Sequence, residues 1–363
     1  MKHPNKLYYI YPIHQKGAFN NIARQHIKYL RKYAQIEEID FSILDSICWY
    51  TKKRVLVHPV MYPFAFVEVE DFPRRRRSYE RLKKVAERMC GFDVADTDQI
   101  SKTAVSVLND FDLIIVPSNW CKKVFKNSGV ETSVEVVPHG LPEEFLHDSD
   151  EITSQTVYDL KELKEKRNAV FILYFLIHSG FRKGADLVAD VWKRIRDEYE
   201  NVYLIVKQAD IIDPYTGLLD SERTIFIREW MTFEQLRELY DVCDILLCPS
   251  RGGGFELNAL EALARGLITI VPEAGSFLDI KKYCLTVEIE KWVPVFPDNP
   301  IHCGLGFQAS VDDMYEKLKM ALDNLESFKY DFRKQRKKIQ KMFSYENVVR
   351  NLADILKKHN FLD

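Results

Sequence analysis

The sequence predicts an α/β protein made of two doubly wound parallel sheets in tandem, and three observations carry that prediction. Short apolar runs rich in β-branched residues alternate with helical patterns along most of the chain, as parallel βαβ units require. One polar stretch, HGLPEEFLHDSDEITSQTVYDLKELKEKRN at 139–168, interrupts the alternation, which then resumes, so it reads as a linker region with a short helix at 157–166. Three glycines in a row, Gly252, Gly253 and Gly254, stand between the apolar run DILLCPS and the helical pattern ELNALEALARG, in a chain with only 14 glycines. A glycine turn that opens a helix lets backbone approach a ligand and offers free N–H groups to an anion; without a ligand it is simply a tight turn.

In chain order, strands are expected at 7–11, 54–60, 64–70, 112–118 and 133–138, with helical patterns at 18–32, around 78–89, 98–108 and 119–128. After the linker, strands are expected at 169–176, 201–208, 224–229, 244–249, 267–272 and 284–289. Helices are expected at 184–199, 232–242, 256–265, 311–325, 328–342 and 345–359. The helix after the glycines puts Leu257, Leu260 and Leu263 on one face and ends at Gly266, a C-cap residue. Ligands of open α/β sheets bind at the carboxyl ends of strands, so two such sheets facing each other would form a cleft lined by the turn at 252–254 and by LIHSGFRKGADL at 176–187. In the second of these, Ser179, Gly180 and Gly184 allow tight backbone, while Arg182 and Lys183 supply positive charge. Beside helix N-termini they compose a diphosphate site; taken alone they are a solvated pair.

Composition removes several classes of function. With 363 residues the length favours two domains, and a formal net charge of -2 gives no basic field of the kind a nucleic-acid binder uses. No apolar run approaches the roughly 20 residues of a membrane span, and the N-terminal residues are too polar for a signal peptide. The seven cysteines are scattered and form no C-x-x-C pair, which suits a reduced, cytoplasmic protein without structural zinc. Asp210 and Asp213 are too far apart to read as a D-x-D metal motif, so no bound metal and no cofactor are expected. Two basic runs, FPRRRRSYERLKK at 72–84 and FRKQRKKIQK at 332–341, read first as solvated faces. The sharper reading of the former is peripheral contact of Arg74, Arg75, Arg76 and Arg77 with an anionic membrane surface or an anionic acceptor.

The motifs, taken in order, resemble those of the retaining GT-B glycosyltransferases of family 4 (glycosyl transferases group 1). DLIIVPSNWCKKVFKNSGV followed by VEVVPHGLPEEF is similar to the strand–helix–strand that closes the acceptor domain of that family. FRKGADLVADVWKRI resembles its donor-phosphate loop, and LYDVCDILLCPSRGGGFELNALEALARGLITIVPEAG its nucleotide-sugar segment. The resemblance implies two Rossmann-like domains facing a central cleft: an acceptor domain at 1–147, a nucleotide-sugar domain at 148–344, and a C-terminal helix at 345–363 packing back toward the first. It implies a metal-independent hexosyltransferase using a UDP- or GDP-sugar and a carbohydrate or lipid-linked acceptor, with no nucleic acid. Lys183 matches the lysine that holds the donor diphosphate, aided by Arg182. Glu261 matches the glutamate that bonds the ribose hydroxyls. The turn Gly252, Gly253, Gly254, Phe255 and Glu256, continuing into Leu257 and Asn258, matches backbone lying against sugar and phosphates. Ser179 and Gly180 join this donor set. Arg228, Trp230 and Met231 stand in the loop that meets the base, with stacking or core both open for Trp230. Glu256 and Glu70 complete the catalytic set, and Lys16, Gly17, Glu68 and Glu70 the acceptor side.

Three departures qualify the match. Counting back from Glu261, the family's E-x7-E pattern lands on Gly253. Ile177 stands where an arginine usually precedes the donor lysine by six. The acceptor segment FAFVEVEDFP offers Glu68, Glu70 and Asp71 in place of a histidine. His139 reads as a hinge-loop histidine bonded to backbone before it reads as catalytic, and for His178 site and structural roles are both open. A catalytically silent sugar-nucleotide binder would share these motifs. A dinucleotide oxidoreductase would share the topology, but no G-x-G-x-x-G follows the first strand.

Overall fold

The structure, a computed structural model, describes residues 5–15, 17–65, 73–209 and 212–363. The chain divides into two compact units: Met1–Gly140 with Phe296–Gly304 and Phe343–Asp363, and Leu141–Val295 with Leu305–Met342.

The first unit is built on six parallel strands: β1 (Lys6–Tyr11), β2 (Gln35–Asp40), β3 (Lys53–Val57), β4 (Ala86–Phe92), β5 (Leu113–Val116) and β6 (Ser133–Val136), in the order β2-β1-β3-β4-β5-β6. Both faces are covered, which is why the strands read as continuous apolar runs. Alternation sends Val55, Val57, Ile114 and Val116 to one apolar layer with Phe64, Leu82 and Phe125. Leu56, Leu113 and Ile115 face the other layer with Ile27, Leu30 and Val349. The helix Ala18–Leu30 and the C-terminal helix Tyr345–Lys358 cover that second face.

Several sequence expectations change here. Residues 61–64 form a helical turn, so the strand expected at 64–70 does not begin at Phe64; residues 66–72, with Glu68, Glu70 and Asp71, lie outside the described residues. The helix placed around 78–89 runs from Pro73 to Val85, and β4 follows it without a break. The edge strand β2, QIEEID, also falls outside the expected set because it keeps polar side chains toward solvent.

The second unit repeats the principle with β7 (Val170–Leu176), β8 (Val202–Gln208), β9 (Thr224–Ile227), β10 (Ile245–Leu247), β11 (Ile268–Pro272) and β12 (Leu285–Val287), ordered β12-β11-β10-β7-β8-β9 and all parallel. The chain order reverses between β7 and β10, the switch point at which such sheets open a crevice beyond the strands' carboxyl ends. An antiparallel hairpin, β13 (Ile289–Pro294) and β14 (Leu305–Ala309), is added beyond the expected strands. The basic run at 332–341 lies in the helix Leu325–Phe343, which buries Phe332, Ile339 and Phe343.

Candidate functional site

The two loops at the switch point of the second unit hold the glycine turns. After β7 the chain turns through Ser179, at φ 58°, into the short helix Gly180–Lys183, and leaves it through Gly184, at φ 75°. The Gly180 amide donates to Asp213 Oδ2 at 2.9 Å, and a Cβ on Gly180 would come within 2.3 Å of Asp213 Oδ1. Glycine is therefore required by the close approach of that carboxylate. Asp213 also accepts from the Tyr215 amide at 2.9 Å, so it braces the loop.

After β10 the backbone runs through Ser250 and Arg251 into the three glycines. Arg182 is buried and its Nη1 donates to the Gly252 carbonyl at 2.8 Å. The Lys183 ammonium lies 2.9 and 2.7 Å from the two Glu256 carboxylate oxygens, and Arg182 Nη1 is 3.9 Å from the nearer one. Ser250 Oγ donates to Glu256 Oε1 at 2.8 Å, and Ser276 Oγ donates to the Gly253 carbonyl at 2.8 Å. A Cβ on Gly253 would sit 2.4 Å from Glu256 Oε1. The carboxylate that the sequence places at 256 thus fills the space a side chain at 253 would take. Two cations, one carboxylate and a strip of bare backbone meet in one place, an arrangement suited to holding a multiply charged anion.

Glu261 is buried one turn into the helix Leu257–Arg265. Tyr240 donates its phenol to Glu261 Oε2 at 2.8 Å. Burial pushes the Glu261 carboxyl up to about 7, against the lowering effect of that hydrogen bond. Of the neighbouring residues, Gly252 and Gly254 are buried, Phe255, Leu257 and Asn258 half-buried, and the Asn258 side chain accepts from the Ala259 amide at 3.1 Å. In the loop after β9, Arg228 donates to Gln208 Oε1 at 3.3 Å, Trp230 is exposed and Met231 half-buried. His178 is exposed and its Nδ1 is 2.8 Å from Ser179 Oγ.

In the first unit, Gly17 precedes the helix Ala18–Leu30 at φ 146° with open space where a Cβ would be, while Lys16 lies outside the described residues. His139 is buried and stacks on Phe92 with ring centroids 5.6 Å apart. Burial holds its imidazole at about 3, and does the same for His26; His58 is also driven well down. The Tyr9 hydroxyl lies 3.0 Å from Nδ1 of both His26 and His58. Asp93, at the end of β4, accepts from the Val60, Met61 and Val94 amides, and burial raises it to about 6 despite those bonds. Arg74 pairs with Asp45 at 3.3 Å, Arg75 lies over the Tyr62 ring at 5.4 Å, and Arg76 and Arg77 are exposed beside Glu80, Arg81 and Lys84. The patch is thus mixed in sign, because Asp45 and Glu80 share its surface.

The sequence reading missed Arg251, Asp186, Asp213 as a brace, Tyr240 and Asp93. A buried arginine one residue before a glycine turn is a signal it could have used, since such a charge demands fixed partners. Among the described residues no helix is long and apolar enough to cross a membrane, and no group of three or more His, Cys, Asp or Glu could hold a metal ion.

Comparison with known proteins bears on the family and the fold. Residues 170–288 match the family described as Glycosyl transferases group 1. An uncharacterized protein of Sulfolobus islandicus rod-shaped virus 1 is 29% identical over 98% of this chain and 99% of its own length. A protein of Sulfolobus islandicus filamentous virus, provisionally named a glycosyltransferase, is 29% identical over 73% of each chain. The crystal structure of Anabaena HepE in complex with UDP superposes with a TM-score of 0.66 at 12% identity, over 98% of this chain and 100% of that one. The two parallel six-stranded sheets with their covering helices are those of the GT-B fold.

Proposed function

We propose that this chain, a group 1 glycosyl transferase through residues 170–288 and a GT-B protein in fold, moves a sugar from a nucleotide diphosphate sugar to an acceptor hydroxyl with retention at the anomeric carbon. The observation that carries the reading is the meeting of Lys183, Arg182 and the Gly252–Gly254 turn at the switch point of the second sheet. When the bond between the anomeric carbon and the phosphate oxygen breaks, its electron pair leaves with the nucleotide diphosphate. Fixed cations aimed at that charge lower the barrier without reorganising during the reaction. An ammonium has three donors, so Lys183 can keep a Glu256 oxygen and still serve a phosphate. In this reading Glu261 takes the ribose hydroxyls, Trp230 and Arg228 meet the base, and Lys16, Gly17, Glu68 and Glu70 face the acceptor. The positive charge comes from side chains, so no step is assigned to a metal or cofactor. HepE's complex with UDP favours a uridine donor. The reading sets the reaction in the cytoplasm, with Arg74–Arg77 toward anionic lipid when the acceptor is lipid-linked.

A silent binder would hold the donor and leave it intact. Against it stands Glu256, a buried carboxylate in the space left by Gly253 and bonded to Lys183. The experiment is a thermal-shift screen of UDP- and GDP-sugars, because a ligand of the folded state raises its melting temperature, followed by assay of nucleotide diphosphate release. One sugar should stabilise the protein and be turned over. Lys183→Ala should weaken UDP or GDP far more than the nucleoside. Stabilisation without turnover, with or without acceptors, would mean the silent binder.

A further inference from the structure

Arg251 is 1% exposed and has no part in the donor contacts described above. Its guanidinium forks onto Asp186, Nη1 to Oδ1 at 2.7 Å and Nη2 to Oδ2 at 2.6 Å. Nη1 also donates to the Phe181 carbonyl at 2.5 Å, and Nη2 to Gln308 Oε1 at 3.1 Å. The guanidinium lies 4.0 Å from the Phe181 ring centroid. Its backbone is engaged as well: the Arg251 amide donates to the Arg182 carbonyl at 2.6 Å, and its carbonyl accepts from the Phe307 amide at 2.8 Å. Arg182 returns the contact through its own guanidinium to the Gly252 carbonyl. Two arginines therefore clasp the loop after β7 and the loop after β10 in opposite senses, and β14 closes the third side.

We infer that Arg251 is a positioning residue for donor binding: through Asp186 and the Phe181 carbonyl it holds the Lys183-bearing turn against the glycine turn before the donor arrives. The inference rests on the donor-site reading of these loops. Its physical basis is that Arg251 ties both sides of the site at fixed distances, while the Lys183 ammonium stays on Glu256 beside the glycine turn. Rigid loops do not have to be ordered on binding, so the affinity they support is kept. A lysine could pair with Asp186 as a point charge but could not fork to it while reaching Phe181 and Gln308.

The test compares UDP with uridine, and GDP with guanosine, by calorimetry on the full chain carrying Arg251→Met, Arg251→Lys or Asp186→Asn. The nucleoside isolates base and ribose contacts; the diphosphate adds the contacts that Arg251 is inferred to position. Nucleoside affinity should stay within about twofold, while diphosphate affinity falls about tenfold or more in Arg251→Met and less in Arg251→Lys. Asp186→Asn should give a several-fold loss; because Asp186 is partly exposed it also serves if Arg251→Met does not fold. Diphosphate-to-nucleoside ratios that stay at the wild-type value while the melting temperature drops would make Arg251 merely structural and overturn the inference. Full wild-type behaviour of Arg251→Lys would overturn it too, since a point charge would then suffice. A wild-type protein with no preference for UDP or GDP over the nucleosides would instead overturn the donor reading, and the inference with it.

Discussion

At the residue scale, the proposed ribose role of Glu261 would couple donor binding to pH. Its carboxyl is out of water, raised to about 7 by burial, and receives the Tyr240 phenol. Ribose hydroxyls donating to it would favour the charged form, so a donor that uses Glu261 must displace its proton. Affinity for UDP or GDP should therefore rise with pH through about 7 and level off above it. Glu261→Gln should flatten that profile and lower its upper limb. Tyr240→Phe removes a donor that favours the carboxylate, so the inflection should move to higher pH, with a loss of about 1.5–3 kcal/mol in the charged form. Stability runs the other way. The folded carboxyl has the higher pKa, so the folded protein binds a proton that the unfolded chain does not between 4.5 and about 7. Glu261's contribution to stability is complete below that window and is lost as pH rises through 7. Calorimetric titrations across neutral pH check the binding side; a flat wild-type profile would remove Glu261 from the ribose site.

At the scale of elements, the loop after β7 is set by one backbone conformation. Gly184 sits at φ 75°, and a Cβ there would lie 2.4 Å from the Pro249 carbonyl oxygen. Gly184→Ala meets both costs, about 1 kcal/mol for the left-handed backbone and about 1–3 kcal/mol for the overlap. A loss of about 2–4 kcal/mol should appear in denaturant unfolding, and a loss under about 0.5 kcal/mol would show that the loop can rearrange. These glycine turns were legible because their signal is local: apolar runs such as VFILYFL end in glycines and cations within a few residues. Strand β4 was not, since AERMCGF carries Glu87 and Arg88 and continues directly from a helix. The hairpin β13–β14 was hidden by the residues between its arms, and β2 by its exposed acids. In the site, Arg182, Lys183 and Glu256 could be named from their motifs. The pairs Arg251–Asp186 and Tyr240–Glu261 could not, because they join residues 65 and 21 positions apart, and only the strand order brings them together.

At the scale of the whole molecule, the last helix and the residues that follow it belong to the core of the first unit. Tyr345, Val348, Val349, Leu352, Leu356, Phe361 and Leu362 all lie in the apolar layer with Leu7, Leu56 and Ile115. Ion pairs also fasten it, Lys32 with Glu346, Lys358 with Glu135 and Arg54 with Asp363, but exposed pairs are worth at most about 1 kcal/mol each. Burial decides the outcome. Seven large apolar side chains at about 1.5–3 kcal/mol each outweigh most of the roughly 5–15 kcal/mol that holds a domain folded. A chain ending at Met342 should therefore lose the cooperative unfolding of the first unit. The second unit keeps both of its segments, Leu141–Val295 and Leu305–Met342, and with them Lys183, Arg251, Glu256 and Glu261. Hydrogen exchange should show β1–β6 unprotected and β7–β12 protected in the truncated chain, with UDP or GDP still protecting the loops at 177–186 and 250–258. Protection of β1–β6 at the full-length level would show that the first unit's core does not need this helix. Loss of nucleotide protection with β7–β12 still folded would show that the donor site depends on more than the second unit.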